Sequence, residues 1–457
     1  MFLSDKVQSS EEGKFNLKQA YKEAKLTQEE LAQKAKVSLD TLKRLLGTKE
    51  CPNGVERWAV INIANALNIN PTDIVDPKDW NPQQQLPPEF EALIKEKIKA
   101  FCGRKFVFEA FEQFINNNTN GYFTVVGDAG MGKSALTAKY VSDHHAICYF
   151  NILAERRNRP ELFLKSIRQQ LRNRYSLQDV EDADLATLLA KVTEKLPSGE
   201  RLVIVVDALD EVEQELGDNL LYLPTTLPER VYFLLTRRPY ISSQRRLFVS
   251  PGVPVKELDL TASDYVDFSR KDVKEYIQLF LNDDPDYKDA LKKWIKNCNI
   301  SPEEFVEQVA VKSENNFMYL RYVLPQIASG LYDDLSLKQL PQGLQDYYQT
   351  HWVRMGMDKA PQEAKVIVLF ILVEIATAIP CEMIAAIAEE DEYEVRSVLD
   401  EWVGYLTGRQ LEGEFCYSIY HASFLDFLKE KQELKSTRKL FQEVNQRIFN
   451  YFEREMA

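Results

Sequence analysis

Residues 125–134, Val-Val-Gly-Asp-Ala-Gly-Met-Gly-Lys-Ser, have the types and spacing of a phosphate cradle, G-x-x-x-x-G-K-S. Gly127, Gly130 and Gly132 let backbone N–H groups turn inward around an anion, where larger side chains would obstruct them. Asp128, Ala129, Met131 and Ala135 complete the wrapping stretch. Lys133 is placed to neutralise β- and γ-phosphate oxygens, and the Ser134 hydroxyl to ligate Mg²⁺. A second group is Asp207, which ends the β-branched run 201–207, followed by Asp210 and Glu211. Asp207 would hold Mg²⁺ through water, with Ser134 as its partner ligand. Glu211, or else Asp210, would orient or deprotonate an attacking water. A third group is Thr236, Arg237 and Arg238 at the end of the run 231–239, where a guanidinium can reach a γ-phosphate.

These groups need rigid elements. The apolar run 122–126 reads as a buried strand, and 135–141 as the opening of a helix whose N-terminal dipole favours the anion. Runs 146–150, 201–207 and 231–237 read as further buried strands, with helices predicted over 160–175 and 185–196. Alternating strands and helices from Phe106 onward imply a parallel sheet of the α/β class, which delivers all three groups at the carboxyl ends of its strands.

The chain has 457 residues, enough for two to four domains, and 45% hydrophobic content supports packed cores. A net charge of −13 excludes general nucleic-acid binding, so any DNA contact must be local. Six scattered cysteines without a C-x-x-C pair fit reduced thiols in a cytoplasmic setting and give no zinc site. The longest apolar run, 366–379, contains Glu374 and is too short to span a bilayer, so no membrane partner is expected.

Residues 15–76 read as a compact unit of short helices. Thr27-Gln-Glu-Glu30 is a capping box, Ser38 caps a helix over 39–46, and Gly47 stops it. A longer helix over 55–67 carries Trp58, Ile61, Ile63, Ala64 and Leu67, and Pro71 opens a last short helix. The sequence LTQEELAQKAKVSLDTLKRLLGTK…IANALNINPTDIV resembles the Cro/repressor-type helix-turn-helix family over about sixty residues. The resemblance implies a second helix in the major groove, with Gln28, Ser38, Asp40, Thr41, Lys43 and Arg44 facing DNA. Basic and acidic residues balance across the unit, so docking of a partner protein stands beside DNA binding. Residues 77–90, rich in Pro and Gln, read as a linker.

GDAGMGKS, LVIVVDALDE and FLLTRRP together resemble the NACHT branch of the STAND ATPases, which includes animal NOD-like receptors and bacterial defence proteins. The resemblance implies adenine nucleotide (ATP or ADP) and Mg²⁺ as cofactors, Asp207 as the magnesium residue and Arg238 as the γ-phosphate sensor. It places residues 103–107 beside the adenine, and the helices over 268–281 and 301–331 in a small domain closing over the nucleotide. Residues 340–430 then correspond to a winged helix. Within it, His421 takes the place of the motif histidine that contacts the β-phosphate of ADP, and Ala422 stands where the motif has an acid. A charged amphipathic helix is predicted over 428–454, and no period of twenty to fifty residues appears in the sequence.

The expected fold is thus multidomain, α and α/β. An all-α helix-turn-helix domain (1–80) and a linker with a leading helix (81–100) precede a P-loop parallel-sheet ATPase core (101–260). A helical domain (261–338), a winged-helix domain (339–430) and a C-terminal helix (431–457) follow. The resemblance implies a cytoplasmic signal-transducing switch, a slow ATPase locked closed by ADP that oligomerises with ATP, of the bacterial immune or antiphage type. The alternative is an ATP-regulated transcriptional regulator acting through the helix-turn-helix. A metabolic kinase fits less well, because nothing resembles an acceptor-substrate site.

Overall fold

The computed structural model describes residues 6–456, except 52–53, 68, 70, 76–85, 179, 197–198, 215–218, 240–245, 333–336, 359–361, 412, 420 and 437. The predicted linker therefore lies mostly outside the described residues. The chain forms two compact units, 1–87 and 88–457.

In the first unit, helices Glu11–Glu23, Gln28–Lys34, Leu39–Leu45 and Arg57–Leu67 surround one core. Leu17, Leu31, Leu42, Leu45, Val60 and Ile63 fill it. The Thr27 capping box forms as its sequence requires, with Thr27 and Glu30 each satisfying the other's orphan backbone donor. Strands β1 (Lys6–Val7) and β2 (Val55–Glu56) pair antiparallel, so the long helix starts two residues later than its periodicity predicts. Trp58 and Ile61 do not join the core. They are 54% and 41% exposed, and Ala59, Val60, Ile63 and Ala64 are buried instead. The last predicted helix is one 3₁₀ turn, Pro71–Asp73.

The second unit is built on a parallel sheet of β3 (Gly121–Val126), β4 (Ile147–Phe150), β5 (Leu202–Asp207), β6 (Val231–Arg237) and β7 (Val255–Asp259). The order is β4-β5-β6-β3-β7. All residues of β3 and β6 are buried, as expected of strands covered on both faces. The register aligns Val126 with Arg237 and Phe150 with Asp207, which gathers the polar strand ends along one edge. Because β6 lies between β3 and β5, Thr236 and Arg238 emerge between the glycine loop and Asp207.

Four helices follow: Ser263–Asn282, Lys288–Asn297, Pro302–Lys312 and Phe317–Ala328. The segment read as helical over 301–331 breaks at Glu314 and Asn315, both left-handed at φ 53° and 62°. Helices Gly343–Arg354, Glu363–Ile375, Cys381–Ala388 and Glu392–Glu401 come next, with β8 (Ile379–Pro380), β9 (Leu406–Leu411) and β10 (Glu414–Ile419) in antiparallel order β8-β10-β9. The helix predicted over 428–454 is two, Ala422–Glu430 and Lys439–Met456, separated by a 3₁₀ turn at Gln432–Leu434. One hydrophobic cluster runs from Val273 to Val444, so the expected boundary near 339 is not a gap in the packing. No helix among the described residues is long and apolar enough to cross a membrane.

Candidate functional site

The glycine loop leaves β3 and enters the helix Lys133–His144. Gly130 and Gly132 both sit at φ +82°, a conformation that side chains resist. Gly130 is also closely covered: a Cβ there would lie 2.3 Å from Asn316 Oδ1. The cover is built from the start of the helix Phe317–Ala328. Asn316 Nδ2 donates to the Ala129 carbonyl at 2.8 Å, and the Phe317 amide donates to the Gly130 carbonyl at 2.9 Å. From the other side the buried Arg104 donates to the Met131 carbonyl at 2.6 Å and to Ser269 Oγ at 3.1 Å. The Arg104 amide is held by Asp272 at 3.0 Å. Arg104 falls in the predicted adenine-side segment, but its side chain braces the loop against the helix Ser263–Asn282. Lys133 Nζ donates to the carbonyls of Gly127 (2.7 Å) and Asp128 (3.0 Å). Burial lowers the Lys133 pKa, opposed by the nearby carboxylates of Asp210 and Asp207.

Asp207 is buried at the end of β5. Its Oδ1 accepts from Thr236 Oγ1 at 2.5 Å and from Thr137 Oγ1 at 3.2 Å. Burial pushes this carboxyl upward, against the hydroxyls of Ser134 and Thr236 and the charge of Lys133. A hydroxyl and a carboxylate are hard oxygen donors of the kind Mg²⁺ takes, and a buried carboxylate gains from a cation, so Ser134 and Asp207 fit that ion. Beside them, the buried Asn151 donates to the Asp207 carbonyl at 2.7 Å, while its own Oδ1 has no hydrogen-bond partner. No group of three or more His, Cys, Asp or Glu side chains among the described residues could hold a metal by itself.

The two acids after β5 have different surroundings. Asp210 is committed to Arg238: Oδ1 accepts the Arg238 amide at 2.9 Å and Oδ2 lies 3.0 Å from Nε. That leaves Glu211 as the stronger base candidate. Its Oε2 accepts the Leu153 amide at 3.0 Å, and burial pushes its pKa to about 7. Arg237 turns the other way and pairs with Glu257 at 2.7 Å, which gives it a structural position.

Arg238 makes a second ion pair, with Asp426 on the helix Ala422–Glu430. His421 caps that helix. Its Nδ1 accepts the Ser423 amide, and Ser423 Oγ in turn reaches Tyr348 OH at 2.6 Å. Burial pushes the imidazole down to about 4, and the charges of Lys97, Arg238 and Arg321 act in the same direction. Those three cations come from three separate stretches of the second unit, and Arg238 and Arg321 are themselves ion-paired. Sequence reasoning missed Asn151, Asn316 and Asp426, and gave Arg104 an adenine-side place without its bracing role. Only Asp426 carried a signal, as an acid one helical turn beyond the motif position.

In the first unit, Ser38 Oγ accepts the Thr41 amide at 3.0 Å and lies 2.8 Å from Thr41 Oγ1, so two predicted DNA contacts also serve as a helix cap. Asp40 pairs with Lys49, which, with smaller effects from Arg44 and Lys43, holds its carboxyl below the usual range. Gln28 stands at the start of the preceding helix, half-buried.

Residues 103–238 match the family model described as nephrocystin 3, N-terminal, and residues 16–79 match that of the Cro/C1-type HTH DNA-binding domain. By these matches the chain carries a domain of the nephrocystin 3 N-terminal type and, before it, a Cro/C1-type helix-turn-helix domain. Among solved structures it is similar to a Pyrococcus horikoshii STAND protein with a tetratricopeptide repeat sensor, at 17% identity and TM-score 0.31, over 78% of this chain and 46% of that one. It thus spans less than half of that protein. It is also similar to Drosophila ORC bound to DNA, at 12% identity and TM-score 0.29, over 76% of this chain and 99% of that one. A third likeness is to the Thermotoga maritima RuvB Holliday junction branch migration motor, at 14% identity and TM-score 0.24, over 75% and 95%. No curated protein matches the chain.

Proposed function

We propose that the chain is an adenine-nucleotide switch. The observation that carries this reading is the Arg238 ion pair to Asp426, which joins the end of β6 to the helix that His421 caps. In this reading, residues 339–430 act as a winged helix held against the nucleotide site. Gly127 to Ala135 cradle the phosphates, Ser134 and Asp207 hold Mg²⁺, and His421 donates to the β-phosphate of ADP. The ion supplies charge neutralisation at the phosphates.

A bound ligand shifts such an arrangement only through contacts that differ between its states. A γ-phosphate supplies one, because it competes for Arg238. ATP would therefore favour release of the winged helix and self-association. Hydrolysis, with Glu211 as base and Arg238 stabilising charge, would reset the switch slowly. The helix-turn-helix is the output module, and clustering of chains raises its avidity. The ion pair of Asp40 with Lys49 favours DNA over a protein partner as the output target, since it relieves repulsion from phosphate.

The test is to denature the purified full chain and identify the released nucleotide by chromatography. ADP near one per chain is the expected result. An empty protein that turns over ATP rapidly would sink the locked-switch reading.

A further inference from the structure

Arg238 is shared by two carboxylates that belong to different parts of the second unit. Asp210 follows β5, its side chain is 7% exposed, and it binds both the Arg238 amide and Nε. Asp426 stands on the helix Ala422–Glu430, its side chain is 48% exposed, and it binds Nη1. The first pair is an anchor within the core. It ties the backbone amide and Nε of Arg238 to the segment that follows β5. The second pair spans 188 residues of sequence and is the exchangeable one.

Arg238 follows Arg237, whose carbonyl accepts the Gly127 amide at 3.3 Å, so it starts beside the phosphate loop, and its charge acts on Lys133. A terminal phosphate held by Lys133 would approach the same guanidinium edge that Asp426 occupies. Two anions would then share one cation, and like charges at that distance repel. A diphosphate ends short of this contact and leaves the pair intact.

We propose that Asp426 sets the nucleotide preference of the site, favouring nucleoside diphosphate over triphosphate by holding the Arg238 nitrogen that a γ-phosphate needs. The proposal rests on the nucleotide-switch reading. It adds a specificity-determining residue outside the phosphate loop and the histidine motif. Asp426 competes through charge, so its effect should follow the carboxylate and not the packing of the helix.

The experiment uses the full chain stripped of nucleotide. Mg-ADP and the Mg complex of a non-hydrolysable β,γ-imido ATP are titrated calorimetrically into the wild type, Asp426→Asn, Asp426→Ser and Asp426→Glu. A partly exposed ion pair of this kind predicts that the ratio of ADP affinity to triphosphate affinity falls about fivefold in the Asn and Ser variants. Asp426→Glu keeps the carboxylate and should stay near the wild-type ratio. Melting curves report whether each variant is folded, and two neutral substitutions guard against the failure of one. A ratio within twofold of wild type in both neutral variants, with both nucleotides binding, overturns the proposal and leaves the switch reading standing. Failure of the wild type to bind either nucleotide overturns the switch reading, and this proposal falls with it.

Discussion

The Nδ1 of His421 accepts the amide hydrogen of Ser423 at 3.1 Å, which assigns the ring proton to Nε2. The imidazole is therefore a neutral Nε2–H donor, because burial pushes its pKa down to about 4. Its own helix fixes the tautomer, and Ser423 and Tyr348 fix its orientation.

If Nε2–H donates to a β-phosphate, His421→Ala removes one hydrogen bond to a charged group, worth roughly 1.5–3 kcal/mol. ADP release measured by stopped flow should accelerate at least tenfold. The pH dependence has a defined sign. The folded pKa lies below the ordinary 6.5, so the neutral ring's contribution is present above pH 6.5 and is lost as pH falls through 4. Melting temperature should fall over that window in the wild type, and less steeply in His421→Gln.

Glu211 shows the opposite pattern. Its folded pKa of about 7 lies above the ordinary 4.5, so the protonated acid's contribution to stability is present below pH 4.5 and is lost as pH rises through 7. The shift corresponds to about 3 kcal/mol above pH 8. Glu211→Gln should abolish hydrolysis, retain nucleotide binding, and raise the melting temperature of the nucleotide-free chain at pH 8 but not at pH 5. Full hydrolysis by the variant would remove Glu211 from the base role, and Asp210 would become the next residue to test.

Gly130 provides a test of the loop's cover. Gly130→Ala forces an L residue into φ +82°, at roughly 1–2 kcal/mol, and drives its Cβ into Asn316. The expected result is a lowered melting temperature and weakened nucleotide binding. Asn316→Ala alone loses the bond to Ala129 and the cap on the Tyr319 amide, so the comparison is made on that background: there Gly130→Ala should cost less than in the wild type, because the clash is gone and only the backbone strain remains. An equal cost in both backgrounds would show that strain alone accounts for the loss.

The glycine loop, β5 and β6 were legible because buried parallel strands read as continuous apolar runs, and the helix Pro160–Tyr175 matched its predicted bounds residue for residue. Strand β7 was not. Val255–Asp259 carries Lys256, Glu257 and Asp259 on the sheet edge, where the exposed side tolerates charge. The break at Glu314 and Asn315 was hidden because neither is Gly or Pro, though both adopt left-handed backbone. Trp58 and Ile61 misled in the other direction: helical spacing says which residues share a face, not whether that face is covered. The link from Arg238 to Asp426 joins residues so far apart in sequence that only the folded chain brings them together.

The helix-turn-helix prediction turns on salt. Lys43 and Arg44 lie in the last turn of Leu39–Leu45, where they would meet phosphates and not base edges. Each basic side chain withdrawn from a phosphate should reduce the slope of log affinity against log salt by about one. In a mobility-shift titration with random duplex, Lys43→Ala/Arg44→Ala should therefore bind weakly and flatten that slope by about two. Asp40→Asn adds a second arm. If Lys49 already masks this carboxylate, its removal should change affinity less than twofold, because the pair leaves little charge to relieve. A large gain would mean that Lys49 leaves Asp40 to meet the DNA. No shift by the wild type at low salt would exclude DNA as the target and leave a protein partner as the output.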